Sequence, residues 1–157
     1  MPAAGVAEFQ LDDEEAARRF GARLGRCLRP GDTLLLEGPV GAGKSHIARA
    51  AIRALAGAAT EVPSPTFTLV QTYDGPSCEI WHADLYRLSS SVEVAELGLA
   101  EAMGRDIVLI EWPDRLGLEQ PAEAIRLRLV LRGEGREAQL SGAPARLMTC
   151  LMQEARP

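Results

Sequence analysis

The stretch Gly38-Pro39-Val40-Gly41-Ala42-Gly43-Lys44-Ser45 fits the pattern G-x-x-x-x-G-K-[ST] at every position, and it constrains the chain more than any other feature. Its surroundings agree. Thr33-Leu34-Leu35-Leu36 is a short apolar run of the kind a buried parallel strand needs. Beyond the loop, Ile47, Ala48, Ala51, Ile52 and Leu55 recur at helical spacing, and Gly57 stands where the helix should stop. A strand, a glycine-rich turn and a helix N-terminus together make an anion site. Backbone N–H groups converge, the helix dipole adds partial positive charge, and glycines let the main chain approach its ligand. This reading points to a nucleotide. Gly41, Ala42 and Gly43 line the phosphates, Lys44 reaches the β- and γ-phosphates, and Ser45 offers its hydroxyl to Mg2+. His46, on the loop helix beside Ser45, turns an N–H toward phosphate.

Lys44 is the only lysine; the other 16 of the 17 Lys+Arg residues are arginine. In a chain so biased toward the guanidinium, a lysine at this position marks a need for a compact ammonium. At 157 residues the chain is expected to form one domain, 1–157, with its own core. Hydrophobic content of 46% and charged content of 25% are those of a soluble globular protein. Residues 1–8 contain no basic region followed by an apolar one, so no secretory leader is expected. No apolar run approaches the length of a membrane span. Cys27, Cys78 and Cys150 are odd in number and far apart, and are expected as reduced thiols of a cytoplasmic protein. The net charge of −5, with arginines scattered and no basic cluster, argues against a domain that grips RNA or DNA alone.

In chain order, Asp12 and Asp13 can cap a first helix, Asp12-x-x-Glu15 resembles a capping box, and the apolar stripe from Ala16 to Leu28 ends at Pro30-Gly31. After the loop helix, Pro63 and Pro65 exclude helix. Phe67 to Tyr73 and Cys78 to His82 read as a hairpin around Asp74-Gly75-Pro76. Ser91 is expected to cap a helix that carries Val92 to Leu99. Ile107 to Ile110 is the most strand-like run, Ala124 to Leu131 and Arg136 to Leu140 pair across Gly133-Glu134-Gly135, and Ala143 to Glu154 closes the chain as a helix. Strands interleaved with helices predict an α/β fold: a three-layer architecture like that of P-loop NTPases, with a largely parallel central sheet and an inserted hairpin. The ligand belongs at the C-terminal ends of the parallel strands.

A phosphate loop needs an acid at the end of another strand to complete a Mg2+ site. Glu111 ends the run Ile107-Val108-Leu109-Ile110, and Asp84 ends Glu79-Ile80-Trp81-His82-Ala83. Mg2+ keeps several waters and takes one or two carboxylates. Both acids therefore qualify, one directly and one through water; alternatively Glu111 orients the attacking water. Trp112 either shields the site or packs in the core. His82 is expected to be structural rather than a ligand. Thr66, on the proline-stiffened loop, is placed to meet the γ-phosphate or the attacking water.

Several separated motifs then resemble one family. The loop is followed by Ser64-Pro65-Thr66-Phe67-Thr68-Leu69-Val70, His82-Ala83-Asp84-Leu85-Tyr86-Arg87-Leu88, Leu97-Gly98-Leu99 and Leu109-Ile110-Glu111-Trp112-Pro113. That order resembles the TsaE (YjeE) family of bacterial ATPases over roughly residues 11 to 141. The resemblance implies that Lys44, Ser45, Asp84, Glu111 and Trp112 serve Mg-ATP binding and hydrolysis. It adds Glu14 and Arg136 near the nucleotide. It further implies a cytoplasmic partner of TsaD and TsaB, which make threonylcarbamoyladenosine in tRNA, with tRNA met only through those partners. Ser45 stands where the family usually has threonine, and Pro39-Val40 where it has an acid and leucine.

The same loop also serves small-molecule kinases, which need an acceptor pocket and arginines on a mobile lid; Arg115 alone does not make one. A guanine-specific N-K-x-D motif is excluded because the sequence contains no asparagine.

Overall fold

Leu34, Leu35 and Leu36 set the layout. All are fully buried on β2 (Thr33–Glu37), with Leu34 and Leu36 in one core and Leu35 in another. A strand apolar on both faces belongs in the middle of a covered parallel sheet. The computed structural model describes residues 5–154; residues 1–4 of the stretch read for a leader lie outside these.

The sheet has seven strands, in the spatial order β1 (Ala7–Leu11), β7 (Gly135–Ser141), β6 (Ile125–Arg132), β2, β5 (Ile107–Glu111), β4 (Glu79–Asp84) and β3 (Val70–Asp74). Its parallel centre is β6, β2, β5 and β4. Antiparallel strands finish both edges: β3 beside β4, and β7 with β1 beside β6. One face is covered by α1 (Glu14–Cys27), α2 (Lys44–Ala56) and α5 (Ala145–Glu154) through Phe20, Leu24, Ile47, Ile52, Leu147 and Leu151. The other is covered by α3 (Ser91–Ala95), α4 (Leu99–Ala102) and the 3-10 helix Pro113–Glu119. The expected α/β layering and largely parallel sheet are therefore present. No helix among the described residues is long and apolar enough to cross a membrane.

Several expectations need correction. Asp13, not Asp12, caps α1 by accepting from the Ala16 N–H at 2.7 Å, and Glu15 instead pairs with Arg18. Strand β3 starts only at Val70, because the Leu69 N–H turns back to the Pro65 carbonyl at 2.7 Å and Leu69 adopts φ 70°. Ser90 rather than Ser91 caps α3, and Gly98 at φ 80° separates α3 from α4 where one helix was expected. Strand β1 was not foreseen: only five residues long, it pairs with β7, its partner along the chain's far end. Cys27 and Cys150 are joined in a disulfide, not held as thiols. Packing of α5 against the end of α1 brings together cysteines 123 residues apart, a proximity that spacing cannot reveal.

Helices α1 and α2 lie in backbone contact. A methyl group added at Gly25 would stand 2.5 Å from the Ala51 carbonyl oxygen, and one at Gly21 would stand 2.8 Å from that of Ile47. Gly25→Ala should therefore cost about 2 kcal/mol through overpacking, read as a lower urea midpoint at unchanged slope. Denatured without reductant, the protein should titrate one thiol, Cys78, of its three cysteines. Reduction of the cross-link should cost about 5 kcal/mol of chain-entropy stabilisation, seen as a lower melting temperature.

Candidate functional site

The loop between β2 and α2 needs glycine where it turns. Gly41 has φ 82°, and Gly43, which opens α2, has φ 101°. A side chain on Gly43 would also crowd the Arg136 guanidinium at 3.4 Å. The first-turn N–H groups of α2 have no acceptor within their own helix and face outward, as at any helix start. The Lys44 ammonium folds back to donate to the Gly38 carbonyl at 2.6 Å and the Pro39 carbonyl at 3.0 Å, and lies 4.0 Å from the centre of the Trp112 ring.

Register then brings the acids in. Asp84 and Glu111 are direct neighbours at the C-terminal ends of β4 and β5, and Leu36 of β2 pairs with Glu111 on its other side. Ser45 donates its hydroxyl to the Glu111 carboxylate, at 2.8 Å from Oε1 and 3.1 Å from Oε2. His82 Nε2 lies 2.7 Å from Glu111 Oε2, with both side chains buried. Asp84 accepts from the Tyr86 N–H at 3.0 Å and from the Thr66 hydroxyl at 3.1 Å. Trp112 is held at φ 58°, with its ring 4.8 Å from that of Tyr86.

These side chains surround one cleft of about 470 Å³. Glu14, Gly41, Gly43, Lys44, Ser45, His46, Thr66, Asp84, Glu111, Trp112 and Arg136, all expected from sequence, line it together. Ala42 does not. Its methyl is buried in the core and its N–H is used on the Pro39 carbonyl at 3.1 Å, because the loop needs a small residue packed beneath it. His46 is anchored through Nε2 to the Glu14 carbonyl at 3.0 Å, and Arg136 donates to the Gly41 carbonyl at 3.2 Å. Ser45, Glu111 and Asp84 offer oxygen ligands, which suit a hard cation such as Mg2+. Ser45 and Glu111 would hold it, with Asp84 next in register. Among the described residues no group of three or more His, Cys, Asp or Glu forms a metal cage, so the rest of the shell would come from water and phosphate.

Residues 11–138 match the family described as threonylcarbamoyl adenosine biosynthesis protein TsaE. The chain belongs to the TsaE family. It is 40% identical over 121 residues to the tRNA threonylcarbamoyladenosine biosynthesis protein TsaE of Rickettsia bellii, covering 77% of this chain and 84% of that one. The Treponema pallidum protein of the same name is 33% identical, with 74% and 86% covered, and the Nostoc one 35% identical, with 83% of each covered. The crystal structure of Bacillus subtilis YdiB superimposes with a TM-score of 0.76 at 20% identity, over 99% of this chain and 98% of that one.

Sequence reading missed how this TsaE-family site is braced. His82 was read as structural, and it does sit in the core, yet its ring bonds directly to Glu111. The signal was its place two residues before Asp84: alternate residues of a strand share a face. Tyr86 lines the cleft without having been singled out for it, and Val40, noted as a departure from the family pattern, lines it too.

Burial pushes the Lys44 ammonium below its ordinary range, while Glu111 and then Asp84 pull it back up. A lysine lowered in the folded state costs stability wherever the unfolded chain keeps it charged, and that cost fades as pH rises past the folded value. Lys44→Met should thus melt at or above the wild-type temperature at neutral pH, with the gap narrowing toward the ordinary lysine range. Scanning calorimetry across pH checks this; a fall of several degrees at neutral pH would make Lys44 a structural residue.

Proposed function

We propose that the chain is a Mg2+-dependent ATPase of the P-loop NTPase type. In this reading it is one cytoplasmic domain that supports threonylcarbamoyladenosine modification of tRNA by binding and resetting a TsaB–TsaD complex. The observation that carries the chemistry is the 2.8 Å contact between the Ser45 hydroxyl and a buried strand-end carboxylate, beside a glycine-rich loop. Family membership supports the pathway.

The loop amides and the start of α2 hold the phosphates, and Lys44 exchanges its two carbonyl partners for phosphate oxygens. Mg2+ supplies charge neutralisation of the β- and γ-phosphates when bound. Glu111, fixed by His82, presents its carboxylate to Ser45 and the metal position. Asp84 and Thr66, hydrogen-bonded to each other at the cleft, would orient the attacking water. Trp112 and Tyr86 exclude bulk water from Lys44. Glu14 and Arg136 complete the rim toward the rest of the nucleotide.

The partner step rests on the loop around Thr66. Next to it Phe67 is 82% exposed, and Val40 on the glycine-rich loop is 74% exposed. Apolar side chains this open beside a nucleotide cleft suit a protein contact that the γ-phosphate can order.

Glu111→Gln and Asp84→Asn should each lower ATP hydrolysis by about 100-fold or more, with the fold intact, and at least one should weaken the Mg2+ dependence of ATP binding. Wild-type turnover in both variants would remove the paired-carboxylate mechanism. Association with purified TsaB–TsaD should be tight with ATP and weak with ADP. Binding indifferent to nucleotide, or tight binding of tRNA by the isolated chain, would refute the coupling.

A further inference from the structure

The arginines that look scattered along the sequence are not scattered in space. Helices α1 and α2 run side by side, and the groove between them, about 470 Å³, is bordered by Arg18 and Arg26 on one side and Arg49 and Arg53 on the other. Arg49 and Arg53 are one helical turn apart on α2, so their side chains share a face. The two walls differ chemically. Arg18 and Arg26 face carboxylates of the same chain, Glu15 and Glu154. Arg49 and Arg53 instead use Nε to bond backbone carbonyls, Val62 at 3.1 Å and Thr60 at 3.1 Å. Among the described residues neither has an acidic partner. Each guanidinium is thereby held in place while its charge stays uncompensated. A fixed fork of this kind matches a carboxylate with little further loss of side-chain freedom.

The floor of the groove is made by alanines, Ala22, Ala50 and Ala54 among them. We propose that this groove docks an acidic amphipathic segment of a partner protein, with carboxylates on Arg49 and Arg53 and small apolar side chains on the alanine floor. The composition favours protein over nucleic acid. Among the described residues no Phe, Tyr or Trp lines the groove, and its one imidazole, His46, is tied to the Glu14 carbonyl at 3.0 Å rather than open for a base to stack on. The net charge of −5 works against the approach of an extended polyanion, whereas a short segment meets only the local positive field. The proposal does not depend on the nucleotide reading, although His46 lines both the groove and the cleft.

The test is titration of the isotope-labelled full chain with a synthetic peptide of glutamate and leucine at helical spacing. Its arms are a lysine-for-glutamate peptide and a single-stranded RNA oligonucleotide. Amide signals of Ala22, Ala50 and Ala54 should shift with the acidic peptide alone. Arg49→Glu combined with Arg53→Glu should weaken binding about tenfold or more, and Arg53→Glu alone, at an exposed side chain, should weaken it in the same direction. ATP affinity of both variants should match wild type, and both should still melt in one cooperative transition, somewhat below wild type because the bonds to Val62 and Thr60 are lost. Absence of peptide binding, shifts confined to other surfaces, indifference to the arginine reversals in folded variants, or tighter binding of the RNA in this groove would each overturn the proposal.

Discussion

The Glu111 carboxylate is the constraint on which the site depends. It is 2% exposed at the end of β5, and a carboxylate so buried must be fully partnered or it destabilises the fold. Two groups partner it, from two different elements. Ser45 comes from the first turn of α2, and His82 from the neighbouring strand β4. One acid thus fastens the start of the loop helix to the middle of the sheet. The His82 ring also explains its own geometry. The tautomer in which Nε2–H donates to Glu111 leaves the buried Nδ1, which has no partner among the described residues, as an acceptor rather than an orphaned donor.

From that anchor the cleft acquires a second feature, the left-handed conformation of Trp112 directly after Glu111. A bulky residue at φ 58° is strained, and such strain persists only where surrounding contacts hold it. Here the Tyr86 ring packs against the indole itself and the Lys44 ammonium sits over its face. Pro113 follows at once and starts the 3-10 helix, so the backbone cannot continue as strand. The turn takes the chain away from the sheet just where the carboxylate has to face the loop. On the proposed reading, the same turn shields the lysine from bulk water and keeps two acids and one ammonium within a single desolvated field.

The parts legible in the sequence were those written in local terms. The glycine-rich pattern, the apolar strand before it, and the strand-end acids Asp84 and Glu111 each occupy a few consecutive residues, and the register of β4 against β5 then placed the two acids side by side. What stayed hidden required knowledge of distant partners. Strand β1 has only five residues with a mixed burial pattern and owes its place to β7. The bond between Cys27 and Cys150 depends on where α5 returns. The break at Gly98 competes with an apolar pattern that reads as one helix, and the αL conformation of the glycine decides it. Ala42 matched a binding pattern, but the pattern does not say which loop residues face the ligand and which face the core.

Charge shows the same limit most clearly. The net value of −5 describes the field far from the protein, where opposite charges merge; at contact distance the field is set by individual side chains. Gly21 and Gly25 let α1 approach α2 until backbone meets backbone, and that approach places arginines from both helices along one narrow groove. Half of these positive groups are neutralised by their own helices or by α5, and half are not. The glycines therefore act twice. They seat the helix whose first turn carries Lys44 and Ser45, and they create on its outer face a local positive surface that no composition count would reveal.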